Sequence, residues 1–185
     1  GALELNVYNK YFDADYNLQL KKHVDLNKPV VFLMGLDEID LSSLKNAFVV
    51  YLGHHGDKAA SIADIILPTP AYTEKSSTYM NIEGRVIQTN KCHNPLGEAR
   101  EEWKIFRVLS NLLSQNLQFN NISELRNEIT SKYNQFSSLN DINPIKEITC
   151  DKNYKINDIK IKYNIVNFYM NDSISRSSET MALCT

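Results

Sequence analysis

The chain is short of the residues through which chemistry most often announces itself. Only three cysteines occur among 185 residues, Cys92, Cys150 and Cys184. They are far apart, odd in number and never form a C-x-x-C pair, which excludes a zinc site or iron–sulfur ligand set built from sequence-local ligands. Three reduced thiols in a reducing compartment is the simpler reading. No run approaches the roughly 20 apolar residues of a membrane span, so direct membrane insertion is not expected, and no signal peptide is visible. Charge of one sign is also missing. Lysine plus arginine number 20, aspartate plus glutamate 22, and the net charge is −2. Lysines are scattered apart from Lys21-Lys22, so no electrostatic case for nucleic acid or an anionic membrane exists. A nucleophile elbow, G-x-x-x-x-G-K-[ST], H-E-x-x-H and G-x-G-x-x-G are all absent. Motif chemistry therefore yields no catalytic residue.

What is present is a globular composition, 43% hydrophobic and 23% charged, in a chain long enough for one good-sized domain and a tail without metal or disulfide staples. The start at Gly1, without methionine, suggests a processed chain or a piece of something longer. Residues 1–28 are polar and read as a lead-in, with a weak helical signal from Asp15 to His23. Residues 29–134 read as an α/β domain. From about Gln135, Asn, Ser and Lys dominate, so residues 135–185 read as an extended arm. There Ile156, Ile159, Ile161 and Ile165 are expected to pin it to a body, and a short closing helix is expected from Arg176 to Cys184.

Within the domain, Val30 to Met34 is a continuous apolar run between Pro29 and Gly35, as expected of a strand buried on both faces. A helix is expected next, with Leu36, Ile39 and Leu44 near helical spacing, Asp37 as cap and Glu38 in the first turn. Phe48 to Leu52 is the second strand, and strand–helix–strand at this length makes a parallel pair with a right-handed crossover. Asp57 to Ser61 is a short link to a third, buried-looking strand, Ala63 to Leu67, stopped by Pro68. Repetition of this unit predicts an α/β fold with a doubly wound, mainly parallel sheet. Ser76 to Thr89 alternates around the turn Asn81-Ile82-Glu83-Gly84, a β-hairpin pattern. Glu98 to Glu102 opens the clearest helix, with Trp103, Phe106, Leu109 and Leu113 on one stripe. A second helix is expected from Ser123 as N-cap, carrying Leu125, Ile129 and Tyr133.

In such sheets ligands bind beyond the carboxyl ends of the strands. The loops Gly35 to Glu38, Gly53 to Asp57 and Pro68 to Thr73 would line that edge. The candidate residues are Gly53, His54, His55, Gly56, Pro68, Glu74, Asn81, Glu83 and Arg85. His54-His55 invites a metal, but neighbours in an extended loop point apart, and a zinc site needs three or four converging ligands. Glu74, Glu83 and Arg85 form either an acid–base set or surface ion pairs, and exposed pairs are worth under about 1 kcal/mol.

The ordered series Ala63 to Pro68 (ADIILP), Thr73 to Lys75 (TEK) and Asn81 to Arg85 (NIEGR) resembles the molybdopterin-oxidoreductase superfamily. Within it, the turn Gly53 to Asp57, the stretch Gly97 to Lys104 and the ending Asn167 to Cys184 look like the carboxyl-terminal part of the large iron–sulfur subunit of respiratory complex I. That resemblance implies a molybdopterin-oxidoreductase-like fold whose cofactor cleft is vestigial, with no cofactor, cluster or metal in this chain. Iron–sulfur clusters and FMN are then expected in a cluster-bearing amino-terminal half of the same polypeptide type and in neighbouring subunits. The implied partners are that half, the flavin-bearing NADH-oxidising subunit and other peripheral-arm subunits. The implied location is the matrix side of the mitochondrial inner membrane, or the cytoplasmic face of a bacterial one. The composition suits an AT-rich genome of either kind. The alternatives are the cofactor-clamping domain of a molybdopterin-dependent enzyme such as a formate dehydrogenase, and a free-standing binding protein of bacterial cytosol.

Overall fold

Proline before and glycine after the run VVFLM confine it to an extended segment, and the structure forms strand β1 there, Val30–Met34. This computed structural model describes Leu5 and residues 24–36, 40–56, 58–142 and 167–184. Strand β2 spans Phe48–Gly53 and β3 Ile65–Pro68. The three pair in parallel in the order β1-β2-β3, with Val30 opposite Phe48 and Gly53 opposite Pro68. An antiparallel hairpin follows, β4 (Thr78–Met80) against β5 (Val86–Gln88). Helices α1 (Glu102–Leu112) and α2 (Ile122–Lys132) come next. Two single-turn helices close the chain, α3 (Ser173–Arg176) and α4 (Glu179–Ala182).

The parallel α/β sheet expected from the sequence is therefore present, with different connections. The described residues that link the strands make 3-10 turns at Leu41–Leu44 and Ala60–Ile62, where a helix was expected after β1. Asp40 caps the first of these by accepting from the Ser42 amide at 3.0 Å. The expected cap Asp37, with Glu38 and Ile39, lies outside the described residues, as does Asp57. Side chains alternate across the strands, and one sheet face packs Leu33, Val49 and Tyr51 against Leu44 and Ala59 of the connecting turns. Each large apolar side chain so buried contributes on the order of 1.5–3 kcal/mol. Val24, fully buried in the same cluster, comes from the expected lead-in, where residues 24–27 are helical. The opposite face meets α1, with the Phe32 and Phe106 rings 5.6 Å apart.

Burial on both sides of β1 and β3 is not observed. Phe32, Met34, Ile65 and Ile66 are exposed, because among the described residues β1 and β3 are edge strands and only β2 lies between neighbours.

Helix α1 begins at Glu102 rather than Glu98. Residues ahead of it form a turn in which the Arg100 amide donates to the Pro68 carbonyl at 3.0 Å. Burial pushes the Glu101 carboxyl up, but hydrogen bonds from Lys104 and Trp103 outweigh it and hold it below the usual range. The cap of α2 is Asn121, whose side chain accepts from the Glu124 amide at 2.9 Å, so Ser123 is already helical and Tyr133 falls just past the end. The closing helix starts earlier than Arg176 and breaks at Ser177-Ser178, since both Asp172 and Ser178 act as N-caps. The weak helix at Asp15 to His23 and the isoleucines from Ile156 to Ile165 lie outside the described residues.

Candidate functional site at the carboxyl edge of the sheet

Parallel strands deliver their carboxyl ends to one edge, and three loops meet there. A cavity of about 640 Å³ is lined by Gly35 and Leu36 after β1, His54 after β2 and Tyr72 after β3. Its remaining walls come from far along the chain. They are Asp172, Ser173, Ile174 and Ser175 of the α3 start, and Ser178 and Met181 of α4. Residues from the carboxyl-terminal stretch thus share a cavity with the edge where such folds bind ligands.

The loops are fixed by backbone bonds. The Gly35 amide donates to the Leu52 carbonyl at 2.7 Å, with Gly35 at φ 60°, and the Thr69 amide donates to the Gly53 carbonyl at 2.9 Å. Gly53 is required by packing: a Cβ there would fall inside the phenol of buried Tyr51, whose hydroxyl donates to the His55 carbonyl at 3.1 Å. Gly56 has open space where a Cβ would lie.

His54 and His55 do not point apart. Their rings meet edge to face with Nδ1 atoms 2.6 Å apart, because the chain bends at His54 instead of staying extended. One ring therefore donates and the other accepts. Burial first, then His55 and Lys75, lowers the pKa of His54, against the opposing pull of Glu74 and Glu102. Among the described residues no group of three histidine, cysteine or acidic side chains converges as a metal site. Cys92 and Cys184 are exposed free thiols, and Cys150 lies outside the described residues.

The other candidates do different work. Glu74 folds back on its own turn, accepting from the Ala71 amide at 3.0 Å, with His93 a distant 3.9 Å away. Its neighbour Lys75, given no role by sequence reasoning, pairs with Glu102 at 2.5 Å, and both side chains are mostly buried. That bridge ties the loop after β3 to the first turn of α1. Pro68 accepts the Arg100 amide.

Asn81, Glu83 and Arg85 do not line the cavity. They form the β4–β5 turn, where the side-chain oxygen of Asn81 accepts from the Glu83 and Arg85 amides at 3.0 and 2.9 Å. Gly84 supplies φ 82°. The Arg85 guanidinium then reaches the Asn140 carbonyl, and the Asn140 amide returns a bond to the Val86 carbonyl at 2.8 Å. Glu83 lies 3.8 Å from Arg85, an exposed pair.

Sequence reasoning missed Asp172, Ser175 and Ser178 as site residues. Asp172 accepts from the Ile174 and Ser175 amides and the Ser175 hydroxyl, contacts that lower its pKa. A signal for this was available, because Asp-x-x-Ser ahead of a short apolar turn is a capping pattern.

A parallel sheet with loops and helical turns gathered at its carboxyl edge defines an α/β scaffold of the kind that holds nucleotide-like cofactors. The chain belongs to the molybdopterin oxidoreductase family, whose model matches residues 7–112. Residues 146–184 match the model for the carboxyl-terminal region of the G-type subunit of NADH-ubiquinone oxidoreductase. Among curated relatives, the NADH-ubiquinone oxidoreductase 75 kDa subunit of Reclinomonas americana is 38% identical over 100% of this chain and 27% of its own length. The G-type subunit of the NADH-quinone oxidoreductase of Rickettsia bellii is 38% identical, covering 94% of this chain and 25% of the relative. A mitochondrial 78 kDa subunit from Candida albicans is 44% identical, covering 83% and 23%. The resemblance to the large complex I subunit holds, and the chain spans about a quarter of the length of these relatives.

Catalytic members of such a family would place a phosphate-bearing pterin at this edge. The described residues that line the cavity do not fit it. Among the described residues no lysine or arginine lines the cavity, although phosphate recognition calls for cations or free amide donors. The Asp172 and Ser178 oxygens are spent on capping α3 and α4.

Proposed function

We propose that the chain is the structural carboxyl-terminal portion of the large iron–sulfur subunit of NADH:quinone oxidoreductase, and that it supports electron transfer without holding a cluster, flavin or molybdenum. One observation carries this reading: residues of α3 and α4 face Gly35, His54 and Tyr72 across one cavity at the sheet edge. An edge whose cleft is walled by the chain's own capped turns works as a joint, and the segment forming that wall falls within the stretch that matches the carboxyl terminus of the G-type subunit. Lys75–Glu102 and Arg85–Asn140 stiffen the same body by linking loop to helix and hairpin to following segment. Among the described residues no helix is long and apolar enough to cross a membrane. Attachment through partner subunits, on the matrix face of a mitochondrial inner membrane or the cytoplasmic face of a bacterial one, suits the mitochondrial and bacterial relatives.

The test is affinity purification of the tagged chain from its native membranes. Co-purification with a flavin-bearing NADH-oxidising subunit and with cluster proteins is expected. Recovery of the chain alone, or with a molybdenum enzyme such as a formate dehydrogenase, overturns the reading.

A further inference from the structure

Among the described residues strand β1 is an edge strand with none of the usual protection. Its five residues are all apolar, without a lysine, an internal proline or a bulge to discourage pairing. Along the β1–β2 ladder the Phe48 amide donates to the Pro29 carbonyl at 3.0 Å, and the Gly35 amide to the Leu52 carbonyl at 2.7 Å. Odd-numbered residues therefore bond to β2. The two-residue period turns the backbone groups of Val30, Phe32 and Met34 away from it, toward the outer edge. Among the described residues no strand pairs there.

Of those same residues, Phe32 meets Phe106 of α1, while the side chains of Val30 and Met34 on either side of it stay exposed. Val30 is 58% exposed and Met34 52%, and Phe48 in register beside Val30 is 46% exposed. Parallel sheets are normally covered on both faces. The other edge is less open, because the Pro68 carbonyl at the end of β3 already accepts the Arg100 amide. The relatives carry about three-quarters of their length outside the part matched here.

We propose that β1 is a docking edge, and that its occupant is an extended apolar strand from the part of the large complex I subunit that the relatives have beyond this match. The strand adds to Val30–Met34 through main-chain bonds to Val30, Phe32 and Met34. Apolar side chains of the same segment cover Val30, Met34 and Phe48. This deepens the proposed function, on which it rests, by naming the surface through which the scaffold is held.

The experiment places a photo-crosslinking benzoylphenylalanine at Val30 or Met34 of the tagged chain, in native membranes, with Ser61 as the control position. Adducts from Val30 and Met34 on one short segment of the remaining large-subunit sequence, and none there from Ser61, are expected. The double variant V30K/M34K should lower recovery of the chain in the complex by about tenfold or more. Its thermal midpoint as a purified chain should stay unchanged, since both side chains are already exposed. Adducts on residues 1–23 of the same chain, on a second copy or on another protein overturn the proposal. So does labelling of both positions by a soluble reagent in the intact complex. If the chain fails to co-purify with complex I proteins at all, the proposed function falls. If it co-purifies and these positions crosslink elsewhere, only the docking edge falls.

Discussion

Arg85→Ala tests whether the N-x-E-G-R turn works as a clamp. Arg85 is half-buried, and its guanidinium donates to the Asn140 carbonyl, holding residues 139–142 against β5. A hydrogen bond from a charged group contributes about 1.5–3 kcal/mol, and partial exposure puts this one near the lower end. Loss of the packed alkyl stem adds about 0.5 kcal/mol. The Glu83 carboxylate, 3.8 Å away and more than half exposed, contributes under about 0.5 kcal/mol. Arg85→Ala should thus cost about 2 kcal/mol and Glu83→Gln almost nothing. For a chain of this size those figures correspond to a midpoint lower by about 4–8 °C and by under about 2 °C. Thermal unfolding followed by circular dichroism reads both, and limited proteolysis near Asn140 reads the local loosening. In the native complex, Arg85→Ala should reduce the amount assembled while leaving NADH oxidation per assembled complex unchanged. Equal costs for the two variants would refute the clamp. Normal assembly with slowed oxidation would refute the scaffold.

Other outcomes follow from the same geometry. Gly53→Ala should destabilise by about 1–3 kcal/mol, read in urea unfolding, because its Cβ would drive the buried Tyr51 ring from its place. His54 has a pKa below its ordinary 6.5, chiefly through burial. The unfolded chain therefore takes up this proton first, and stability should fall as pH drops from about 6.5 toward the lower folded value. His54→Asn should flatten that part of the stability–pH curve, and an unchanged curve would show that the ring titrates freely. Asp172 is held below the usual carboxyl range by its bonds to Ser175 and Ile174, so its contribution is present above that range and lost as pH falls through the lowered value. Asp172→Ala should cost about 1 kcal/mol at neutral pH and speed carboxypeptidase attack on α3 and α4; unaltered cleavage would mean the cap does not hold the ending in place.

The sheet was readable because apolar runs bounded by proline and glycine have few other uses. Val30 to Met34 and Phe48 to Leu52 are strands, and Asn81 to Gly84 makes the hairpin turn through its Asx bonds and one positive φ. The connections were harder. A helical spacing of Leu36, Ile39 and Leu44 suggested an α-helix, while the structure forms a single 3-10 turn capped by Asp40. Exposure of β1 and β3 depends on which strand is central, and strand order is not written in a period of two. Gly35, His54 and Tyr72, one from each of the three expected loops, line one cavity at the carboxyl edge. The part that Asp172 to Met181 play in walling that cavity was not legible, because they lie far along the chain from those loops. His54 and His55 illustrate the same limit: one bend in the backbone reverses where adjacent rings point.

The central claim is that the strand-end cleft of this family serves here as a structural joint. Molybdenum, tungsten and pterin content of the tagged chain, isolated from its native membranes with whatever accompanies it, tests that claim most directly. Iron and flavin belonging to the partners, with only trace molybdenum, tungsten and pterin, is the result this account predicts. Molybdenum or tungsten in stoichiometric amount with the chain, together with a pterin released on denaturation, would contradict it.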